Sequence, residues 1–362
     1  MRDIGVVAFA QSGCRAANRR DDMADILAPV IAEAVTSVGI ERGDIDFYCS
    51  GSHDFHEGRT FAYIESLDAV GAWPPISESH VEMDAAWAAN EAWSWLQLGE
   101  GDIALVYGIG RGSLASDPDQ VSHTQLDPYY LAPLHPHRHA FAGLQAHALL
   151  ATGTVTERDL AEVVARSLSA AVENPHAQRS GVHAVDDLLA QPYVASPLRE
   201  HDTAPLGDAA AVLILAAGDR ARDLAANAGR RPAWIRAMDH RMATHYPGAR
   251  DLTRLETVEI AARRATRMAG FSPAEIDVAE LHTEYSYAEP MLAAALGLAP
   301  ATTINPSGGP LAGNPTTATG LIRLGEAAAR ICDDTVDRAL AHATSGPALQ
   351  HNLISLLEGE RR

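Results

Sequence analysis

Apolar residues along the 362-residue chain fall into short blocks rather than long spans. "IGVVAFA" near the N-terminus and "DAAAVLILAA" (Asp208–Ala217) read as strands buried on both faces. Both are far too short to cross a bilayer as a helix. Between such blocks, apolar residues recur at helical spacing. "AVTSVGIERGDIDFYCSGS" (Ala34–Ser52) aligns without gaps with "RATRMAGFSPAEIDVAELH" (Arg264–His282). Each reads as the end of an amphipathic helix, a Gly-Ile or Gly-Phe exit, a turn, and a strand opening on an acidic residue followed by Ile-Asp. "GDIALVYG" (Gly101–Gly108) matches "VDRALAHA" (Val336–Ala343), and "AAAVLILAA" (Ala209–Ala217) matches "LQHNLISLL" (Leu349–Leu357). Three matches in the same order indicate an internal duplication. They divide the chain into an N-terminal half, residues 1–225, and a C-terminal half, residues 226–362. Each half alternates strand and helix, which predicts mainly parallel sheets covered by helices, packed about a pseudo-two-fold axis. The excess length sits at 117–196, rich in His, Pro and Tyr, with a helix around Glu157–Glu173. An insertion of this size predicts a cap over a site or a dimer-forming excursion.

Composition narrows the function. The formal net charge is −19, which argues against nucleic acid as a partner because phosphate neutralisation needs clustered Lys and Arg, and leaves room for a nucleotide-bearing cofactor on a local basic patch. The three cysteines, Cys14, Cys49 and Cys332, show no CxxC pair, and the start of the chain carries no secretory pattern. Both point to the cytoplasm. The chain has 16 histidines. "LHPHRH" places His135, His137 and His139 two apart around Pro136 with no carboxylate set beside them, which fits a solvated or substrate-facing loop better than a metal site.

Three stretches offer chemistry. "NPSGGPLAGNPTTATG" (Asn305–Gly320) carries Gly308 and Gly309, which can take positive φ and let a ligand lie against the backbone. Asn314-Pro315 fits an N-cap with Pro at the first helical position, so free N–H groups and a positive dipole end would face an oxyanion. "ELHTEYSYAEP" places His282 at the carboxyl end of a buried strand, Ile276–Leu281, with Tyr285 and Tyr287 within a turn; His is a candidate acid/base group or oxyanion donor. "ALAHATSGP" ends the strand Arg338–His342 on His342. The helix after "VEMDAAWA" puts Trp87, Glu91 and Trp95 on one face.

These stretches resemble the thiolase superfamily. "NPSGGPLAGNPTTATG" is similar to its Asn-x-x-Gly-Gly…Gly-His-Pro-x-Gly-Ala-Thr-Gly run. "ELHTEY" resembles the Glu-Leu-His-Asp-x-Phe run of sterol carrier protein-x type thiolases, and "NPHA" (Asn174–Ala177) with "SPLREHDTAPLGDAAAVLILA" resembles that branch's middle segment. "ESHVEMDAAWA", "ARDLT" and "AHATSGPALQHN" look like the actinobacterial lipid-transfer thiolase-like proteins of steroid side-chain degradation. The resemblance spans essentially the whole chain and implies an α/β fold of the duplicated, five-layer αβαβα thiolase type.

The departures are chemical. No Cys opens the helix in "VEMDAAWAANEAW", Asn314 stands where the Gly-His-Pro histidine belongs, and "AHATSG" replaces the Cys-x-Gly pair. The acyl-enzyme route through a thiolate is closed at those positions, while His282 matches. Some relatives that lack the cysteine are aldolases on CoA thioesters. The resemblance therefore implies retro-aldol cleavage of a β-hydroxyacyl-CoA from a steroid or other lipid side chain. His282, Tyr285, Tyr246 and His342 are the candidate catalytic residues; Gly308, Gly309, Asn314 and Tyr287 would hold the thioester. No metal or cofactor is expected beyond the CoA thioester itself. Such aldolases pair with an OB-fold, zinc-ribbon acyl-CoA-binding protein, and thiolase-like chains form homodimers or heteromers. Two other readings remain: a non-catalytic thiolase-like subunit, and an acyltransferase or Claisen-type enzyme without the usual cysteine.

Overall fold

The computed structural model describes residues 2–57, 60–114 and 117–360. The outermost positions of the two expected halves, 1 and 361–362, lie outside them. Twelve strands form: β1 (Ile4–Gln11), β2 (Phe47–Gly51), β3 (Glu78–Val81), β4 (Ile103–Arg111), the small hairpin β5 (Tyr193–Ala195) and β6 (Leu198–Arg199), β7 (Asp208–Ala217), β8 (Ala233–Met242), β9 (Val278–Glu280), β10 (Thr303–Ile304), β11 (Arg338–Ser345) and β12 (His351–Gly359). Apart from the hairpin they make one ten-stranded sheet, ordered β10-β9-β11-β12-β8-β1-β7-β4-β2-β3. Its two groups of five follow the same order outward from the centre, and only Gly5–Trp234 and Val6–Ala233 pair across the seam.

The matched segments fall on equivalent strands. β2 and β9 come from the first pair, β4 and β11 from the second, β7 and β12 from the third. In each group the first three of these strands run parallel, β3-β2-β4 and β10-β9-β11. The last two, β7 with β1 and β12 with β8, are antiparallel to their neighbours. The sheet is therefore mixed rather than mainly parallel. β4 turns back into β7, and β11 into β12, as antiparallel neighbours, a direction that the apolar runs alone do not encode.

Five layers stack around these sheets. The Met23–Ser37 and Gly218–Asn227 helices cover the outer face of the first group. The Glu256–Ala269 and Ala288–Leu296 helices cover that of the second. Between the inner faces lie two helices, Ala85–Leu98 and Thr319–Cys332, in one shared core. Their buried sides are mostly apolar and rich in small residues, with Trp87 and Trp93 in the first and Arg323 in the second as the exceptions. Trp87 packs in this core and Trp95 stacks on Phe47, ring centroids 4.7 Å apart. No helix among the described residues is long and apolar enough to cross a membrane.

The central helices can approach the strands only because glycine stands beneath them. A Cβ at Gly51 would lie 2.4 Å from Ala85 Cα and 2.7 Å from Ala85 N. Both are backbone atoms at the first turn of the Ala85–Leu98 helix, which cannot retreat without leaving the strand ends. Gly51→Ala is expected to cost about 3 kcal/mol by overpacking. Urea denaturation would check this; a loss under about 1 kcal/mol would mean that the helix start is not pinned there.

Candidate active site

Just before the Ala85–Leu98 helix comes Asp84, whose Oδ1 accepts the Ala86 N–H at 2.8 Å as an ordinary N-cap. Its Oδ2 accepts the Gly320 N–H at 2.7 Å, in the first turn of the Thr319–Cys332 helix. One carboxylate thus caps both central helices. Ala318, the N-cap position of the second helix, makes no side-chain cap of its own. The expected cap at Asn314 is not formed. Asn314 lies in an extended bridge to Leu206, its carbonyl accepts the Gly207 N–H, and a 3-10 turn at Thr316–Ala318 separates it from the helix.

Asp84 opens one side of a cavity of about 370 Å³. Both sequence halves and the insertion contribute walls: His56 and Asp84, then Gln125, His137, His139 and Phe141, then His282, Glu284, Tyr285, Tyr287 and Asn314, with the Thr344–Leu349 turn closing the rim. Burial pushes the Asp84 carboxyl up to about 6, against the opposing effects of His282 and of the Ala86 and Gly320 N–H groups.

His282 emerges from β9 with its orientation set by the backbone. Thr344 N–H donates to His282 Nδ1 at 3.3 Å, so the neutral imidazole carries its proton on Nε2. Nε2 has no hydrogen-bond partner among the described residues and is covered by Glu284, whose Oε1 lies 3.6 Å away. Asn314 is oriented in the same way: its Oδ1 accepts the Thr319 hydroxyl at 2.6 Å, which leaves Nδ2 aimed at the same Glu284 oxygen, 3.5 Å off. Two N–H donors therefore converge on one oxygen position, held by a side-chain carboxylate. Glu284 is surrounded by protein, yet 44% of its side-chain surface is open, and that opening is the cavity. Burial raises its pKa, but His282, His56 and Asn314 together outweigh it and leave the carboxyl below its usual value.

The phenols differ in surroundings. Tyr285 Oη meets His139 Nδ1 at 3.0 Å, and Tyr287 Oη donates to Gln145 Oε1 at 3.0 Å. Burial raises the pKa of both, so both keep their protons. His342 lies off the cavity wall. It is fully buried, its Nε2 bonds Asn352 Oδ1 at 2.9 Å, and burial pushes it down to about 3. Tyr246 lies at the surface, 43% exposed, and does not line the cavity.

Gly308 and Gly309 take the expected positive φ, 94° and 61°, but they back the site instead of lining it. A Cβ on Gly308 would sit 2.6 Å from Ala171 Cβ, in the insertion. The insertion ties down the whole loop: Ser167 Oγ donates to the Gly308 carbonyl, Asn174 Nδ2 to that of Ser307 at 2.8 Å, and Arg179 Nε to that of Leu311 at 2.7 Å. Beneath it, Arg323 donates to Glu280 at 2.5 Å and to Ser307 Oγ at 2.6 Å. The loop is thus a rigid mount for Asn314. Of the eight candidates, His282, Tyr285, Tyr287 and Asn314 face the cavity. Asp84, Glu284 and His139 face it too without having been singled out for chemistry. Asp84 was legible as an Asp before a small-residue helix, at the place where the resemblance wants its nucleophile; Glu284 stands inside the quoted "ELHTEY".

The cysteines stand off the cavity, Cys14 packing behind it against Gly207 and Gly313. None lines the cavity, and burial pushes each thiol up to about 12, so all three stay protonated. No group of three or more His, Cys, Asp or Glu is placed to hold a metal among the described residues; His137 and His139 line the cavity, and His135 packs edge-on against His123.

The fold is the thiolase-like one, and in sequence the chain is similar to acetyl-CoA acetyltransferases and to sterol carrier protein 2. No protein-family model matches the chain. It is 26% identical over 377 residues to an acetyl-CoA acetyltransferase of Methanothermobacter thermautotrophicus, covering 98% of this chain and 96% of that one. It is 29% identical over 393 residues to sterol carrier protein 2 of Gallus gallus, covering 97% and 68%. The solved structure of an Ltp2-ChsH2(DUF35) aldolase superposes with a TM-score of 0.80, covering 99% of this chain and 98% of that chain, at 17% identity. That last likeness establishes the fold.

Folding raises the Asp84 pKa from 3.8 to about 6, so the fold disfavours its ionised form. The stability that the protonated form contributes is complete below about pH 4 and is lost as pH rises through about 6. At neutral pH the loss is about 3 kcal/mol. In Asp84→Asn this dependence disappears. Relative to wild type, the variant should gain about 3 kcal/mol between about pH 4 and pH 7 in urea titrations. An equal difference at both pH values would show that the carboxylate is not penalised.

Proposed function

We propose that this protein cleaves the Cα–Cβ bond of a β-hydroxyacyl-CoA by a retro-aldol reaction. The observation that carries the reading is a buried carboxylate, Asp84, at the helix start where the resemblance expects a nucleophilic Cys, lining one cavity with two N–H donors that converge on one oxygen. A retro-aldol needs a base and an oxyanion site but no nucleophile.

The thioester oxygen takes the position now held by Glu284 Oε1, between His282 Nε2–H and Asn314 Nδ2–H. Asp84, with a pKa near the working pH, accepts the β-hydroxyl proton. The Cα–Cβ electron pair moves into the thioester, and the enolate oxygen is held by the two donors. Cα is then protonated, giving a ketone or aldehyde and a shortened acyl-CoA. No protons are gained or lost overall. The apolar rim from Phe141 and from Pro347–Leu349 suits a steroid or other lipid acyl group. An OB-fold, zinc-ribbon acyl-CoA-binding protein is the proposed partner; the name of the solved neighbour pairs Ltp2 with a DUF35 protein, which supports it. One observation favours a second reading, a non-catalytic subunit: Glu284 covers His282 Nε2. An acyl-enzyme route is disfavoured because none of the three thiols lines the cavity and burial keeps each protonated.

The test is to incubate the protein and such a partner with a 17-hydroxy steroid propionyl-CoA and assay the ketone. Turnover should rise with pH through about 6 and survive iodoacetamide. Asp84→Asn should lower kcat by about 10²- to 10⁴-fold, and His282→Ala by about 10²- to 10³-fold. No ketone at any protein concentration would sink the lyase reading in favour of the subunit.

A further inference from the structure

The insertion does more than wall the cavity. Arg138 Nε donates to His139 Nε2 at 3.0 Å. Guanidinium is always a donor and never an acceptor. His139 Nε2 must therefore present its lone pair, and in the neutral imidazole the proton lies on Nδ1. Nδ1 faces Tyr285 Oη at 3.0 Å, with the two rings edge-on at 82°. The direction of the second hydrogen bond is thus fixed by the first: His139 donates and the phenol oxygen accepts. Tyr285 must then point its own hydrogen elsewhere, and its side chain lines the cavity. Burial together with Arg138 pushes His139 down to about 4, which keeps it neutral as this arrangement requires.

The backbone supports the geometry from both ends. Arg138 N–H donates to Asp119 Oδ1 at 3.0 Å, which fixes the loop that carries the pair. Thr203 bridges Tyr285 across an antiparallel contact, and the Ala204 N–H donates to the Glu284 carbonyl at 2.7 Å. Tyr287 differs: its hydroxyl is spent on Gln145, so its proton points into the protein.

We propose that Arg138 and His139 are positioning residues that make Tyr285 an obligate hydrogen-bond and proton donor into the cavity, serving the carbon or oxygen on which negative charge develops in a bound acyl thioester. Its use in catalysis rests on the lyase reading above. There, Tyr285 delivers its proton to Cα of the enolate once the bond to Cβ has broken. The phenolate is stabilised by His139 Nδ1–H, with the Arg138 cation behind it. It regains a proton from the Asp84 carboxyl, which holds the one taken from the β-hydroxyl, so both groups return to their starting state.

The first experiment needs no substrate. In the 15N spectrum of the histidine-labelled full chain, His139 Nδ1 should show the protonated, pyrrole-type shift and Nε2 the pyridine-type shift. Arg138→Met should lose this single-tautomer pattern. A wild-type His139 protonated on Nε2 overturns the proposal, whatever the protein turns over. The second experiment uses the thioester assay with the partner present. His139→Phe and Arg138→Met should lower kcat by roughly ten- to a hundred-fold with KM within about three-fold and unchanged melting. His139→Gln, whose amide can still donate to Tyr285, should recover part of the loss. Equal kcat in wild type and His139→Phe overturns the catalytic use. If wild type makes no ketone while the Nδ1–H tautomer is found, the lyase reading fails and the donor arrangement stands.

Discussion

The site depends on one carboxylate shared by two helices. Asp84 takes an N–H from the start of each central helix, and those helices share one core with strands of both five-strand groups. Two positive dipole ends meeting at the middle of a protein would be costly if unanswered. A single acidic side chain answers both. It remains a carboxylate in surroundings that disfavour the charge, with a pKa pushed towards neutrality. Burial there holds the carboxyl pKa at about 6, a range suited to the base role proposed for it.

Much of the architecture could be read from the chain because its signals are local. The paired "[DE]-I-D" strands, the apolar runs and the helix exits repeat in register with β2 and β9 and with β4 and β11. The third match joined the right strands two residues out of register. Ile103 pairs with Ala216 and Arg338 with Glu358, so Ala216 corresponds to Glu358 and not to Leu356. The slip is even, and in uniformly buried strands with no alternation nothing in the pattern opposes it. Strand direction was not legible either, because a strand buried on both faces carries the same apolar code in either orientation.

The site was half legible for a different reason. His282 and Asn314 stand inside motifs, where type and spacing speak. Their roles, however, come from the Thr344 N–H and the Thr319 hydroxyl, which fix the tautomer and the amide and lie far from them or in an unremarked position of the sequence. Gly308 and Gly309 have the positive φ that their pairing suggests, but positive φ says only that the chain turns there. It does not say which side faces the ligand, and here the inner side faces Ala171 and Asn305. His139 was visible as part of a histidine-rich loop. Its meaning required Tyr285, 146 residues away.

The shared cap has a consequence for how the duplicated chain can be taken apart. The two groups of strands repeat the same order, yet they are unequal at their centre. The first supplies an acid at the head of its helix; the second offers Ala318 and borrows the acid of its twin. With one residue serving both helices, the two groups are not interchangeable, and neither could be capped as it is without the other.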